Sequence, residues 1–421
     1  MNVLEYPRCG IRIHEGKTSA GLPVFVFPME GFRSKYAFFA VKYGGCDRRF
    51  RLNGQWKDTP AGIAHYLEHK MFDMPGYNAM EPFAALGADP NAFTSDSMTG
   101  YLFSCTDHFE ECLKELLHYV TTPYFTPESV AKEQGIIGQE IRMGEDDPTR
   151  RVRRNLMRAL YRSHPIRDAI VGTAESIAEI TADTLNECHR TFYVPTNMVL
   201  CCAGDIDPEW VFAEAEKLNP AEKDAPDRDY GDVEGMLPAA VRAEEKMPVS
   251  MPIFMMGSKL TWKAEGDIWA REMFLADLAC DLLMGEGSHL YSELYNGGLI
   301  NQSFYSGSFD FAHGGVCCAG GRCPDPEAVM ARIVDASESF RMDAASRARL
   351  ERIKKASLGN FIMALDSPEE LCHTQAESWF TGWERMQYPA ILESIGAADV
   401  EAFLNETFRA DRLAMSIIRP L

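Results

Sequence analysis

The sequence contains one short stretch whose residue types and spacing could hold a metal ion. His65, Glu68 and His69 occur in the order H-x-x-E-H between Gly62 and Phe72. If this stretch is a helix, the two histidines lie one turn apart on one face, and Glu68 projects into the same arc. Two such imidazoles can each bind zinc at about 2.0–2.1 Å, and a carboxylate beside them can accept a proton from an attacking water. The order is that of the H-E-x-x-H zinc helix reversed, the pattern called inverzincin.

Chance is the alternative explanation of this trio, because short motifs recur without function in chains of this length. The neighbouring residues favour a metal site instead. Apolar side chains interleave with the ionisable ones, so the helix is expected to pack inside a domain rather than lie in solvent. These side chains are Ile63, Leu67, Met71 and Phe72.

Two histidines on one rigid helix leave zinc short of ligands, so a further ligand from a separate helix is expected. Such a helix is predicted with Thr126 as its N-cap and Pro127 at its first helical position. Pro148 follows its end. Glu133 and Glu140 share one face because they are two turns apart, yet they lie about 10 Å apart along the axis. Only one of them can therefore bind the metal, and the other would support the site. The alternative is that both are ordinary surface glutamates.

The other histidines and the cysteines show no ligand spacing. Twelve cysteines are scattered without a C-x-x-C pair, so we expect no disulfide framework and a reducing cytoplasm. Seven further histidines are interpreted as exposed or capped side chains rather than ligands. They are His108, His118, His164, His189, His289, His313 and His373.

Length and charge restrict the classes of function. A chain of 421 residues is expected to form two domains. The net charge of −20 and the absence of a basic run argue against nucleic-acid binding. The N-terminal residues 1–16 lack the apolar region of a signal peptide, and no apolar stretch approaches the 18 residues of a membrane span. These features again favour a cytoplasmic protein with no membrane partner.

A coarse assignment of elements places the motifs. Strands are predicted at 23–28, 36–43, 98–105 and 198–204, and helices at 76–86 and 108–120. Gly87 to Pro90 is predicted to form a turn that leads into Asn91–Ser95.

A weak repeat divides the chain. The segment that begins at Thr191 resembles the one that begins at Thr407, an offset of 216 residues, and Ala182-Asp183 matches Ala398-Asp399 at the same offset. The repeat predicts a duplicated domain, with one copy over 1–218 and the other over 246–421. Residues 219–245 are rich in Pro, Asp, Glu and Ala, which is typical of a linker. The second copy has no histidine pair near 279–287, so we expect a single metal site.

These motifs together resemble the insulinase, pitrilysin and mitochondrial-processing-peptidase family of zinc metallopeptidases, and the short bacterial two-domain members in particular. His65-Tyr-Leu-Glu-His69 matches the inverted zinc motif of the family. Glu133 and Glu140 match its downstream pair of glutamates. Asn91-Ala-Phe-Thr94 matches the N-A-x-T of an edge strand beside the zinc.

The resemblance implies an α+β fold of two homologous domains, each an antiparallel β-sheet with helices packed on one face. It implies that His65, His69 and Glu140 hold Zn²⁺ and that Glu133 is a supporting carboxylate. Glu68 is the expected general base of a zinc-dependent endopeptidase. The resemblance further implies that a peptide substrate adds to the edge strand as an extra strand, and that two chains close around an unfolded peptide as a homodimer or heterodimer. The substrate-binding residues would be Asn91, Ala92, Phe93 and Thr94.

The sequence departs from this pattern in its second half. Family members place an arginine and a tyrosine there, where they are thought to help stabilise the tetrahedral intermediate. In this chain Tyr295 and Gln302 occupy those positions. The departure supports an alternative function, that of a metal-binding but non-catalytic or weakly active scaffold subunit of a heterodimeric processing peptidase. The intact Glu68 opposes that alternative, because a structural zinc site needs no base.

Overall fold

Groups of strands and groups of helices follow one another through the described part of the chain. The computed structural model describes residues 1–7, 9–218 and 224–421. The strands are β1 (Asn2–Tyr6), β2 (Ile11–Lys17), β3 (Pro23–Pro28), β4 (Lys35–Val41), β5 (Arg49–Leu52), β6 (Gln55–Asp58), β7 (Asp73–Met74), β8 (Tyr77–Asn78), β9 (Asp89–Thr94), β10 (Thr99–Cys105), β11 (Met198–Gly204), β12 (Arg242–Met247), β13 (Ile253–Leu260), β14 (Tyr305–Phe311), β15 (Gly314–Arg322) and β16 (Leu413–Pro420). The helices are α1 (Ile63–Met71), α2 (Met80–Ala85), α3 (Phe109–Thr121), α4 (Pro127–Glu145), α5 (Pro148–Leu160), α6 (Ala174–Ala178), α7 (Ala182–Phe192), α8 (Pro208–Ala215), α9 (Asp267–Met284), α10 (His289–Asn296), α11 (Pro326–Glu338), α12 (Ala344–Ala364), α13 (Pro368–Thr381), α14 (Tyr388–Ser394) and α15 (Ala397–Thr407).

In the described part of the chain, the first sheet has seven strands in the order β1-β2-β3-β11-β4-β10-β9. Its central strands β3, β4 and β11 are buried along almost their whole length, as their continuous apolar sequences predict. Alternate residues such as Val24, Val26 and Phe39 enter one core together with α1, α3 and α4. This core therefore fixes the helix that carries the H-x-x-E-H motif against the sheet.

The second sheet repeats this plan, and the described residues form five strands there in the order β12-β16-β13-β15-β14. Each of its strands corresponds in order to a strand of the run β3-β11-β4-β10-β9, and β1 and β2 are an addition to the first copy. The predicted α+β class and the duplication are thus confirmed. Each sheet also contains a parallel pair of strands, β3 with β11 and β12 with β16. The prediction of wholly antiparallel sheets is therefore wrong at these pairs.

Two helices are exchanged between the halves of the sequence. Helix α13, from the second half, packs on β11 and β4 of the first sheet, and α5, from the first half, packs on β16 and β13 of the second. The compact units are accordingly discontinuous: one contains residues 1–141, 169–230 and 360–381, and the other the remaining segments. These units cut across the contiguous division at 219–245 that the sequence predicts. Each sheet also has helices on both faces, whereas the prediction placed them on one: α13 and α5 lie on the faces opposite the two cores.

The stretch expected to be a linker is largely bonded to its surroundings. Residues 219–223 lie outside the described part of the chain. Beyond them, the Arg51 amide donates to Asp227 O and the Asp229 amide to Arg49 O, in the first unit. In the second unit, Glu234 accepts hydrogen bonds from the backbone amides of residues 162–164. Residues 242–245 already belong to β12.

Other local predictions differ from the structure at their ends. The helix expected over 76–86 is shorter, because Tyr77 and Asn78 form β8 and α2 begins at Met80. The predicted turn at 87–90 ends early, since Asp89 and Pro90 already belong to β9. A proline is tolerated there because β9 is a terminal strand. Within residues 1–7, 9–218 and 224–421, no helix combines the length and the apolar character that a membrane crossing requires.

A buried ion pair in the first unit holds the segment after the undescribed residues. The Arg228 Nε lies 2.9 Å from Asp47 Oδ1, and the two side chains are only 11% and 1% exposed. Tyr230 donates its hydroxyl to the same carboxylate at 2.7 Å, and the Gly44 amide donates to Asp47 Oδ2 at 2.7 Å. Asp47 therefore joins the turn after β4 to residues 228–230.

Asp47→Ala is expected to lower the free energy of unfolding by about 3–5 kcal/mol, because it leaves a buried guanidinium without its counter-charge. Urea denaturation of the purified variant measures this loss. Asp58→Ala is the matched control, since Asp58 pairs with Arg49 at an exposed site, and we expect a loss below about 1 kcal/mol there. Equal losses in the two variants would contradict a special role for the buried pair.

Candidate metal centre

Helix α1 presents the H-x-x-E-H residues from a fixed starting point. It begins after Gly62, whose φ of 94° is left-handed. A Cβ at this position would lie 2.8 Å from Val171 O, so glycine is required for both the conformation and the space. Leu67 and Met71 are buried in the first core, which confirms the predicted apolar face. His65 and Glu68, at 7% and 8% exposure, are held between that core and the surface.

Helix α4 is docked on α1 by hydrogen bonds at its first turn. The Thr126 hydroxyl accepts from the Ser129 amide at 3.1 Å, as the N-cap prediction requires. The Tyr66 hydroxyl donates to Val130 O, and Lys70 Nζ donates to Ser129 O at 3.3 Å. Because α4 is fixed to α1 at this end, the following turns carry Glu133 and Glu140 past the two histidines.

Three potential ligand atoms converge from these helices. Glu140 Oε2 lies 3.5 Å from His65 Nε2 and 3.6 Å from His69 Nε2. The three residues form a cluster whose ligand atoms all lie within 4.8 Å of one another. Ligands bound tetrahedrally at about 2.0–2.1 Å from one zinc ion are separated by about 3.3–3.4 Å. Two nitrogens and one carboxylate oxygen at these separations fit a zinc ion with one coordination position left open.

Glu133 contacts His69 instead of joining the cluster. The His69 Nδ1 donates to Glu133 Oε1 at 3.0 Å. Burial opposes a charge on His69, but this hydrogen bond and the nearby carboxylates raise its pKa, and the same bond lowers the pKa of Glu133. The anionic Glu133 thereby favours a proton on Nδ1, which leaves Nε2 directed at Glu140. His65 Nδ1 is buried without a hydrogen-bond partner among the described residues, so Glu133 orients one ring of the two.

Glu68 projects beside the cluster toward the edge strand. Its Oε2 accepts a hydrogen bond from the Thr94 hydroxyl at 3.0 Å. Burial raises the pKa of Glu68 against the opposing influence of His65, His69 and the Thr94 hydroxyl. The N-A-x-T motif predicts a substrate-binding role for Thr94 but gives no sign of this contact with Glu68. The N-A-x-T motif locates the strand, but only the fold brings residue 94 to residue 68.

Strand β9 carries the Asn91–Thr94 motif at the end of the first sheet. It pairs with β10, with Thr94 opposite Thr99, and it is the terminal strand in the sheet formed by the described residues. Asn91 is exposed, and its side-chain oxygen accepts from the Ala92 amide at 2.9 Å. The strand therefore offers a backbone edge close to Glu68.

Tyr295 and Gln302, which replace the expected arginine and tyrosine, lie in the second unit. Tyr295 is on α10, 44% exposed, and its ring stacks on Tyr291 with centroids 5.9 Å apart. Gln302 lies between α10 and β14 and is exposed. Neither side chain carries a positive charge, as the sequence indicates.

Comparisons with known proteins match this chain to one peptidase family over most of its length. Residues 53–174 match the model described as insulinase (peptidase family M16), and residues 179–357 match that of the peptidase M16 inactive domain. The uncharacterized zinc protease YmfH of Bacillus subtilis is 36% identical over 433 residues, which cover 99% of each chain. The uncharacterized zinc protease ML0855 of Mycobacterium leprae is 28% identical over 73% of this chain and 71% of its own. An M16-like peptidase from Alicyclobacillus acidocaldarius, solved by crystallography, has a TM-score of 0.92 and 31% identity, and the match covers 99% of this chain and 100% of that one.

Proposed function

Since this chain belongs to the insulinase family of peptidases, peptidase family M16, we propose that it is a zinc-dependent endopeptidase that hydrolyses unfolded peptides or small proteins. The observation that carries the proposal is the convergence of the three ligand atoms beside the Glu68 carboxylate. A site that served only to stabilise the fold would need no such base. Strand β9, which ends the sheet formed by the described residues, would supply a place for a substrate next to it.

His65, His69 and Glu140 would hold the metal, and Glu133 would orient His69. When bound there, zinc acts as a Lewis acid that polarises a scissile carbonyl and lowers the pKa of a water molecule. The protein supplies two imidazoles and one carboxylate, the ligand types of catalytic zinc sites.

Glu68 would transfer the proton. Its Oε2 accepts a hydrogen bond from the Thr94 hydroxyl, which makes that oxygen less basic, so we assign the transfer to Oε1. Glu68 accepts the proton of the attacking water and then delivers it to the nitrogen of the leaving amine. Burial raises the pKa of this carboxyl, which brings a general base closer to neutrality.

The substrate would bind in an extended conformation along β9. Backbone hydrogen bonds to Asn91, Ala92, Phe93 and Thr94 would provide affinity that is independent of side chains. Most backbone groups of a folded protein are already bonded within it, whereas an unfolded segment is free to adopt an extended conformation, so unfolded segments are the expected substrates. We also propose that two homologous chains, identical or not, enclose the peptide.

Incubation of the zinc-loaded protein with a mixed peptide library, followed by mass spectrometry, tests this function. We expect cleavage at internal bonds, loss of cleavage with a chelator, and recovery when zinc is restored. The absence of cleavage by a fully loaded protein would count against an autonomous peptidase.

The second candidate function is a weakly active subunit that depends on a homologous partner. Tyr295 and Gln302 favour it, because neither supplies the positive charge that would stabilise a developing oxyanion, and one lost donor typically costs about 2.7–4 kcal/mol. The double variant Tyr295→Arg with Gln302→Tyr is expected to raise the turnover of the isolated protein. Vigorous turnover by the unmodified protein, unchanged in the double variant, would exclude this candidate.

Replacing Glu133 measures its supporting role. Glu133→Ala is expected to keep bound zinc but to reduce zinc affinity or activity by about 10–100-fold, because His69 loses its acceptor. Glu133→Gln is the matched control, since its amide oxygen can still accept the hydrogen bond from His69 Nδ1, and the loss of affinity or activity should be smaller. Zinc content by plasma mass spectrometry and chelator competition give both values. A complete loss of zinc in Glu133→Ala would make Glu133 a ligand.

A further inference from the structure

A histidine without ligand spacing lies on the outer face of the first sheet. His373 belongs to α13, the exchanged helix that packs on β4 and β11. It is half-buried, and its Nε2 lies 2.7 Å from the hydroxyl of Tyr36, which is buried on β4. The sequence predicts an exposed or capped histidine at this position. Its surroundings connect it to the edge strand instead.

Three aromatic rings stack from α13 to that strand. His373 stacks on Phe38 of β4 with centroids 4.1 Å apart and planes at 9°. Phe93 of β9 lies 5.5 Å from the His373 ring and 5.9 Å from the Phe38 ring, with interplanar angles of 19° and 13°. The stack spans β4, β10 and β9, because Gly100 of β10 leaves the space: a Cβ there would lie 2.3 Å from Phe38 Cε2.

The strand transmits this contact to the candidate catalytic carboxylate. Neighbouring residues of a strand point to opposite faces, so Phe93 meets the stack while Thr94 faces Glu68 and donates to it at 3.0 Å. The ring stack therefore restrains the residue next to the one that orients the base. It also restrains the backbone edge to which a peptide would add.

We propose that His373, through the stacking of its ring on Phe38 and Phe93, is a positioning residue for β9 that holds the edge strand so that Thr94 orients Glu68 and the strand can accept a peptide. The expected effects on peptide binding and cleavage rest on the proposed peptidase function. The expected effect on the order of β9 does not. Other contacts of helix α13 also dock it on the first sheet. Trp379 packs on Phe25 of β3 with centroids 5.4 Å apart, and Lys42 Nζ donates to Phe380 O at 2.6 Å.

Two variants separate the ring of His373 from its polar contact. His373→Gln removes the ring and keeps a polar group that can reach Tyr36. The double variant His373→Phe with Tyr36→Phe keeps a ring in the stack and removes the polar pair together. Trp379→Leu is the matched control, because it removes an aromatic contact of the same helix at the far end from β9.

Hydrogen exchange followed by mass spectrometry reads the order of β9 directly in the zinc-loaded, full-length protein. We expect faster exchange over residues 89–94 in His373→Gln, protection close to that of the wild type in the double variant, and no change over these residues in Trp379→Leu. Affinity for a fluorescent peptide, measured in a Glu68→Gln background, should fall only in His373→Gln. In the active enzyme, His373→Gln should raise KM. It should also lower kcat, by up to about 100-fold if the catalytic groups are displaced by about 1 Å.

Each result decides the inference. Unchanged exchange over 89–94 in His373→Gln, or equal effects in Trp379→Leu, would show that the stack is only part of the packing and would overturn it. If the double variant also loses protection, the polar pair rather than the stack holds β9, and the proposal fails as well. Failure of the peptidase function is separate, because the wild type would then neither bind nor cleave peptides, while exchange over 89–94 still reports on positioning.

Discussion

Glu68→Gln is expected to abolish measurable peptide hydrolysis while the zinc content stays that of the wild type. Glutamine has nearly the same shape and can still accept the Thr94 hydroxyl, but it cannot take a proton. General-base catalysis contributes about 10²–10⁴-fold to a rate, so kcat should fall at least about 100-fold. Initial rates with a fluorogenic peptide, together with metal analysis of the same sample, measure both quantities.

Glu128→Gln is the matched control for this substitution. Glu128 is exposed in the first turn of α4 and outside the cluster, so its variant should keep both zinc and turnover. If Glu68→Gln keeps zinc and hydrolyses peptides at a rate near that of the wild type, the base is another group. If it loses zinc, Glu68 contributes to binding, and the division of roles between Glu68 and Glu140 is wrong.

The parts of the site that the sequence predicts are those set by local periodicity. A helix places residues one and two turns apart on one face whatever its surroundings, so His65 and His69, and Glu133 and Glu140, could be paired from their spacing alone. The N-cap at Thr126 is equally local, and the structure shows its hydrogen bond. The spacing alone does not decide which of Glu133 and Glu140 binds the metal. Only the family resemblance indicates Glu140 as the ligand.

The parts that the sequence does not predict depend on contacts between distant segments. The sequence pattern of α13 predicts a helix. Nothing within residues 368–381 indicates that this helix packs on a sheet formed by strands between residues 2 and 204. The same holds for the hydrogen bond from Thr94 to Glu68 and for the stack of His373 on Phe38, which join different elements. The predicted contiguous domains require the helices of each half of the sequence to pack on the sheet of the same half. Helices α5 and α13 pack on the sheet of the other half, so the compact units are discontinuous.

Glu140→Ala is expected to remove zinc from the purified protein, because two imidazoles on one helix cannot complete the coordination shell. Wild-type protein at a zinc concentration about 1,000 times the dissociation constant gains about 4.1 kcal/mol of stability from the metal. Added zinc should therefore raise the Tm of the wild type and leave that of Glu140→Ala nearly unchanged. Because a ligand binds the metal directly and Glu133 acts through His69, Glu133→Ala should keep part of this zinc-dependent gain.

Glu145→Ala is the matched control for the loss of zinc. Glu145 lies on the same helix as Glu140 and is exposed, so its removal changes the charge of α4 equally without touching the cluster. Its zinc content and zinc-dependent Tm should equal those of the wild type. If Glu133→Ala loses all zinc while Glu140→Ala retains it, the roles of the two glutamates are exchanged. If both variants retain zinc, the ligand set lies elsewhere, and the 3.5 and 3.6 Å separations that place Glu140 Oε2 against the two imidazoles reflect a pair of ordinary ionic contacts.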